Sequence, residues 1–515
     1  MSVNVSAIRH VRVLLPCAMA GFLVFFLLQQ SIALGAAAAI ILGCVALIFR
    51  WPELGTLVAL FSIYSNLAVL GMRSRSAIQT TAGSPDENSR IGMVLAILAL
   101  LLCVPLVHYF VVLKRNLIFD RGFKLMLGFF AVLLASSFFA RDNKIVGWQL
   151  WDFLLEGLLL YFLLTNIVRE FSTLRRAVWI LLLAGSLMGG LSLLQKLTHS
   201  ETSDYGGLAQ TVVDVRTSPS GREVPGAVRT AGPIGESNRY ALILVVLLPL
   251  AVLCFRAEQS VWRRIAAVAA AGLISAGLLL TYSRGSILAG LIVFVLMVPA
   301  RSLKLRHALL AALGVGLFVG LCERDVVARM ATLERLKGLI GHTHAAYQAP
   351  DSSAVRRYVE NAAAWRTFLD HPVLGVGPGH FAAHHSQAYG NRVGLIEQIK
   401  KYRGHNLYLE TLAETGVLGL VSFMAILAVI MYGLWRQRNR LKHARPELAH
   451  MVTAFLFSLT AFVIGAAFAH LSYQRYFWLL LALSSAALRI AHSYQPYQTE
   501  EPPGGELFLP EEELS

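Results

Sequence analysis

The densest set of chemically capable side chains is Tyr402-Arg403-Gly404-His405-Asn406-Leu407-Tyr408-Leu409-Glu410, followed by Glu414 and Gly416. An apolar run over 406–435 is long enough to cross a bilayer, so His405 stands at the N-terminal end of a helix. The positive end of the helix dipole disfavours an imidazolium there. A neutral imidazole accepts a proton, which is what a general base needs. Asn406, Glu410 and Glu414 recur at every fourth position and fall on one helix face. The same run also fits an interfacial belt, because aromatic and basic residues commonly flank membrane spans. These residues alone leave both readings open.

Two further places combine a cation with a helix start. Tyr282-Ser283-Arg284-Gly285-Ser286 lies inside an apolar stretch, 264–300, that is too long for one span. The chain must turn there, and Gly285 would let the backbone turn closely. Arginine at membrane depth is costly unless it faces a polar cavity or snorkels to the interface, and Arg284 fits either case. Upstream, Arg229 and Arg239 flank the start of another span, with Asn238 beside them. Cations at a helix N-terminus suit an anion, although from these residues alone a solvated loop is the simpler account.

Between these places lies Asp370-His371-Pro372-Val373-Leu374-Gly375-Val376-Gly377-Pro378-Gly379-His380-Phe381. Its glycine pattern follows a helical segment rather than a strand, which argues against a dinucleotide fingerprint. Before it, Val355, Tyr358, Val359, Ala362, Trp365, Phe368 and Leu369 repeat at helical spacing. That predicts an amphipathic helix on the membrane surface, with Arg356, Arg357 and Arg366 within reach of lipid phosphates, or packed on the bundle. His380, His384 and His385 have helical spacing, but no carboxylate is spaced to complete a metal site. The five cysteines show no CxxC or Cys/His spacing and read as apolar filler, so no metal and no cofactor is predicted.

The elements that must position these residues follow from composition. Of 515 residues, 56% are hydrophobic and 15% charged, and the formal net charge is +15. Ordinary soluble proteins carry about 45–50% apolar and about 25% charged residues. Mean hydropathy is +0.61 and the pI near 9.8. Such a chain lacks the polar surface to cover itself in water. It reads as an all-α polytopic membrane protein, and its basic charge does not indicate nucleic-acid binding.

Fourteen spans are predicted, at 11–28, 32–49, 54–72, 91–113, 122–140, 149–167, 177–196, 240–256, 264–282, 286–300, 307–322, 406–435, 451–469 and 473–491. The first resembles a signal peptide without a small-residue cleavage site, so it reads as an uncleaved helix. With the N-terminus inside, 22 of the 45 Lys and Arg residues fall in inside segments and 7 in short outside loops, among them Arg284 and Arg475. This asymmetry supports both termini in the cytoplasm. The organisation is then N-terminal helices (1–197), an external loop (198–239), helices with the Ser-Arg-Gly turn (240–322), a large external loop (323–404), C-terminal helices (405–491) and an acidic disordered tail (492–515).

Three motifs in this sequence resemble the O-antigen ligase / O-antigen polymerase family, bacterial membrane glycosyltransferases of GT-C type. One is Arg-x-x-Gly…Asn (Arg229, Gly232, Asn238). The second is the Ser-Arg-Gly turn (Ser283, Arg284, Gly285). The third and most specific is His-Pro-x-x-Gly-x-Gly…His-Asn-x-Tyr-Leu…Glu-x-Gly (His371, Pro372, Gly375, Gly377, His405, Asn406, Tyr408, Leu409, Glu414, Gly416). They cover about residues 225–435. The stretch from Arg284 to His405 is long for the family, and fourteen spans exceed its usual dozen.

The resemblance implies a GT-C-like fold of about 12–14 transmembrane helices with two large periplasmic loops, in the bacterial inner membrane. It implies transfer of a glycan from an undecaprenyl-pyrophosphate carrier to an acceptor hydroxyl at the periplasmic face, without a metal. The acceptor is a glycan or lipid, and membrane lipids are further partners. By carry-over His405 is the base, and Arg229 and Arg284 clamp the pyrophosphate. Tyr402, Arg403, Asn406, Glu410, Glu414, Arg239 and Asn238 are candidates for substrate binding. A ligase and a polymerase joining two carrier-linked glycans share these motifs. A multi-pass transporter is the more distant reading. Transporters place ionisable residues near mid-membrane, whereas here the polar residues gather at outer ends and in loops.

Overall fold

The computed structural model describes residues 51–67, 102–103, 105–112, 114–200, 203–217, 223–300, 302, 306, 313, 352–381, 384, 406–468 and 474–494. The predicted spans 11–28 and 32–49, nearly all of 307–322, much of 91–113 and the acidic tail from 495 on lie outside these residues. So do Tyr402, Arg403 and His405.

Helices dominate. They are α1 (Pro52–Tyr64), α2 (Arg121–Ser137), α3 (Asn143–Ile167), α4 (Phe171–Leu197), α5 (Ser237–Ala257), α6 (Val261–Leu280), α7 (Arg284–Met297), α8 (Ser352–Asp370), α9 (Leu407–Ala444), α10 (Pro446–Gly465) and α11 (Gln474–Ser493). Among the described residues α3, α4, α5, α6, α9 and α10 are long and apolar enough to cross a membrane. The molecule is an all-α polytopic membrane protein. The one sheet among the described residues is an antiparallel hairpin of β1 (Gln210–Thr217) and β2 (Glu223–Gly232). It lies in the segment read from sequence as an external loop, and the sequence reading did not anticipate it.

Helix starts follow local chemistry. Asp120 caps α2 by accepting from Phe123 N–H (2.7 Å), and Asp142 caps α3 by accepting from Lys144 N–H (2.8 Å). Small residues bring helices together: a Cβ on Gly277 of α6 would stand 2.7 Å from the Cα of Gly189 in α4. Leu183, Val268, Val295 and Val421 are exposed on the bundle's outside, as lipid-facing residues are.

Where predicted spans fall on described residues, helices stand there with shifted ends. The span set at 54–72 closes at Tyr64, because Asn66 adopts a left-handed φ of 60°. The helix set at 406–435 continues to Ala444, so Arg436, Arg438 and Arg440 ride on a helix rather than a loop. It is also broken inside, at Gly416.

Two ends of the bundle are distinct. One carries the hairpin. At the other, Arg115 pairs with Glu170, Arg176 with Glu53, and Arg489 donates to the Thr165 and Val168 carbonyls. Arg115, Arg176 and Arg489, three of the basic residues grouped by charge asymmetry, thus lie at one end.

Glu258, between α5 and α6, is a densely hydrogen-bonded acid at that end. It accepts from Arg175 Nε (2.8 Å), Trp179 Nε1 (3.1 Å) and Arg263 (3.2 Å). Burial pushes its carboxyl up, but the hydrogen bonds from Arg175 and Trp179 outweigh this and hold it below the usual carboxylate range. A carboxyl lowered on folding stabilises above its unfolded pKa, and that contribution is lost as pH falls through the folded pKa. Glu258→Gln is therefore expected to cost about 1–3 kcal/mol at neutral pH. The gap from wild type should close on acidification below about pH 4. Thermal unfolding of both proteins in detergent across pH reads this directly, and a constant gap refutes it.

Candidate functional site

Arg229 sits on β2 and is 8% exposed. Its Nε donates to the Thr281 carbonyl (2.8 Å) and a terminal nitrogen donates to Asn238 Oδ1 (3.0 Å). The solvated-loop reading of this arginine is therefore wrong: the hairpin folds down and seats it on the bundle. Gly232 makes that descent possible. Its φ is +54°, and a Cβ there would meet the Tyr240 ring at 2.6 Å.

Thr281 is the last residue before the α6–α7 turn, so Arg229 grips the turn that carries Arg284. The turn is built differently from expectation. Tyr282, not Gly285, takes the left-handed φ of 50°. Gly285 lies in the first turn of α7, where a Cβ would strike the Phe468 side chain at 2.6 Å. The glycine serves helix contact rather than the reversal. Arg284, partly buried, is the first residue of α7, and the Ser283 side chain makes no capping bond to that helix.

The N-terminus of α5 is occupied. Glu236 accepts from Asn238 N–H (3.0 Å) and Arg239 N–H (2.8 Å), and it lies 3.5 Å from Arg239 Nε. This carboxylate fills the place where sequence reading set an anion beside Arg239. Asn238 is instead the partner that orients Arg229. At this end of the molecule, α7 starts on a cation with no side-chain cap.

At the start of α9, Asn406 is the N-cap: its Oδ1 lies 3.0 Å from Tyr408 N and 3.2 Å from Leu409 N and accepts from both. It stands outside the helical face it was expected to share with Glu410 and Glu414. Glu410 is buried, and Glu414 accepts from Phe381 N–H (3.3 Å). Glu414 thereby fastens the His371–Phe381 loop to α9. Val376 N–H donates to Ala413 O (3.0 Å), Gly377 N–H to Glu414 O (2.9 Å) and Val417 N–H to Pro372 O (2.9 Å). These bonds reach the break at Gly416, so the two halves of the longest motif form one clasp. Ser136 Oγ of α2 lies 2.6 Å from Leu374 O and 2.8 Å from Glu414 O and ties the clasp to the bundle.

The helix before the clasp, α8, packs Ala363 and Ala364 against Ala413 and Leu409 and leaves Trp365 and Leu369 exposed. His380 is committed to structure. Its Nε2 accepts from Asp142 N–H (3.0 Å) and its Nδ1 donates to the Pro378 carbonyl (3.1 Å). Neither ring nitrogen is left for a metal, and His385 lies outside the described residues.

The end of α10 joins the motifs. Tyr408 donates to the Val463 carbonyl, Phe468 lies against Gly285, and a Cβ on Gly465 would stand 2.5 Å from a Leu242 methyl of α5. The Arg229 strand, the Arg284 turn and the α9 start that follows His405 are thus held at one end of one bundle.

Sequence reading missed a buried polar group at the same end. Arg475, counted there in a short loop, belongs to α11 and is 2% exposed. It donates to Asn66 Oδ1 (2.6 Å), lies 3.6 Å from Glu156 and stands over the Tyr476 ring. Asn66 Nδ2 donates to the Pro233 carbonyl (2.8 Å), just past Gly232. Glu156 lies on a π-helical turn, Phe153–Leu159. The available signal was Glu156 itself, an acid inside an apolar run, where ionisable groups need a partner.

Fold and site define a multi-pass membrane protein with two arginines and a helix start gathered at one end. Residues 267–424, somewhat under a third of the chain, match the family model for O-antigen ligase. That match supports an assignment to the O-antigen ligase and polymerase type, which acts in surface polysaccharide biosynthesis. No curated protein matches the chain. The matched stretch contains the Arg284 turn, the clasp and the start of α9, while Arg229 lies before it.

Proposed function

We propose that this protein transfers a glycan from an undecaprenyl-pyrophosphate carrier to an acceptor hydroxyl at the periplasmic face of the inner membrane. The observation that carries this reading is the grip of buried Arg229 on the turn that presents Arg284 at the uncapped start of α7. A pyrophosphate needs cations and amide donors that are fixed before charge develops, and this arrangement supplies both.

His405, one residue before the α9 cap, takes the proton of the acceptor hydroxyl. The acceptor oxygen attacks the anomeric carbon as the bond from that carbon to the pyrophosphate oxygen breaks. The electron pair leaves with undecaprenyl pyrophosphate, whose charge Arg284 and the α7 amides stabilise. Attack opposite the leaving group inverts the anomeric centre. Arg229, with both bonds spent inside the protein, acts by holding the turn and adding positive potential. Tyr402 and Arg403 are neighbours suited to contact the acceptor. No step calls for a divalent ion.

The test is transfer by the purified protein from a carrier-linked glycan, with lipid A core and a second carrier-linked chain offered in parallel. Product on the first acceptor identifies a ligase and on the second a polymerase, and chelator should leave the rate unchanged. Uptake or release of the carrier across vesicles without product would support the transporter reading instead.

A further inference from the structure

Under the hairpin, beside the Arg284 turn, lies a notch lined by Gln195, Lys196, Thr211, Thr230, Leu280 and Tyr282. Two of its polar atoms find no hydrogen-bond partner among the described residues: Gln195 Oε1 and Thr230 Oγ1. Both residues are buried, at 1% and 7% exposure. The orientation of Gln195 is fixed, because its Nε2 donates to the Ser203 carbonyl (2.7 Å) and the Ala209 carbonyl (2.8 Å). Its Oε1 can therefore only accept. Leaving such groups unpaired in a buried place costs free energy, so their persistence points to an occupant.

The chemistry of the notch selects that occupant. A fixed carbonyl oxygen repels an anion, which argues against a phosphate. A hydroxyl has the chemistry for both atoms, a donor for Gln195 Oε1 and a donor or acceptor for Thr230 Oγ1. The notch takes one small polar group and not a sugar ring. Its position adds the rest. Thr230 follows Arg229 in the chain, and Tyr282 lies between Thr281, which Arg229 grips, and Arg284. Tyr282 holds a left-handed φ, a conformation that costs energy in a residue with a bulky side chain and tends to be retained where it serves function.

We propose that this notch binds a hydroxyl or hydroxymethyl substituent of the sugar attached to the pyrophosphate, and so takes part in donor selection. This rests on the donor assigned above. The test uses the full-length protein with synthetic carrier-linked donors, each lacking one hydroxyl of the carrier-proximal sugar. Wild-type protein should show a donor KM about three- to tenfold higher for one of them, with kcat unchanged. Thr230→Val should raise the KM of the complete donor by a similar factor and add little for that deoxy donor, and Thr230→Ser should restore it. Because Thr230 Oγ1 has no partner among the described residues, Thr230→Val should keep or raise the unfolding temperature. A merely structural threonine would leave the donor KM unmoved. Equal KM for all donors and for Thr230→Val overturns the notch while transfer itself stands. If wild-type protein transfers no carrier-linked glycan, the donor assignment fails first and the notch with it.

Discussion

Arg284→Ala is expected to lower glycan transfer by about 10²–10⁴-fold while the protein inserts and unfolds at its usual temperature. Arg284 is partly buried at the first position of α7, whose cap residue makes no side-chain bond to the helix's backbone amides. On the proposed mechanism its removal takes away the charge that faces the leaving group, while Arg229, Asn238 and Thr281 still hold the turn. Arg284→Lys should recover part of the rate, since a point charge replaces a planar fork. Arg229→Ala should behave differently. It strands the Thr281 carbonyl and Asn238 beneath the hairpin, so activity and stability fall together. His405→Ala should match Arg284→Ala in size, through loss of the base. Donor turnover by purified variants, paired with thermal unfolding, separates the three. Normal surface polysaccharide in a deletion strain complemented with His405→Ala would sink the mechanism.

Gly416→Ala is expected to be the most destabilising small substitution in the clasp, by more than about 4 kcal/mol. Gly416 has φ 64° and ψ −166°, a region that essentially only glycine occupies. A Cβ there would also stand 2.2 Å from the Val373 carbonyl carbon. Backbone that is hydrogen-bonded from Pro372 to Val417 cannot step aside. Gly375→Ala meets the mirror problem, with its Cβ 2.3 Å from the Glu414 carbonyl carbon and φ +68°. Gly128→Ala in α2 is the control: nothing lies within 4 Å, and helix propensity favours alanine by about 1 kcal/mol. Yield of folded protein and its unfolding temperature in detergent check the set, and a wild-type-like Gly416→Ala would refute the clasp.

Much of this protein is written locally. The excess of apolar residues determines a membrane bundle, because no soluble fold could cover them. Apolar runs bounded by charge locate the described helices, though ends such as Tyr64 and Ala444 depart from the predicted ones by about two turns. The residue types at Arg229, Arg284 and the His371–Gly416 motif mark where chemistry gathers, since cations, glycines and a histidine at span ends are costly or pointless elsewhere.

What local pattern left open is which polar groups are already spent. Glu236 and Arg229 stand seven residues apart at the same helix start, yet one carboxylate closes α5 and the arginine turns away to grip Thr281. Asn406 and Glu414 look like substrate contacts in the sequence and serve instead as cap and fastener. Arg475 looks like a loop cation and lies buried beside Glu156 and Asn66, residues hundreds of positions earlier. Those outcomes depend on hydrogen bonds between distant segments, and a donor's partner is fixed only when packing brings the segments together and excludes water. The sequence by itself determined the membrane class, the helices and the residues able to do chemistry. Only the tertiary structure decided which of the described ones are consumed in holding the fold, and that α7 starts on an arginine with no side-chain cap.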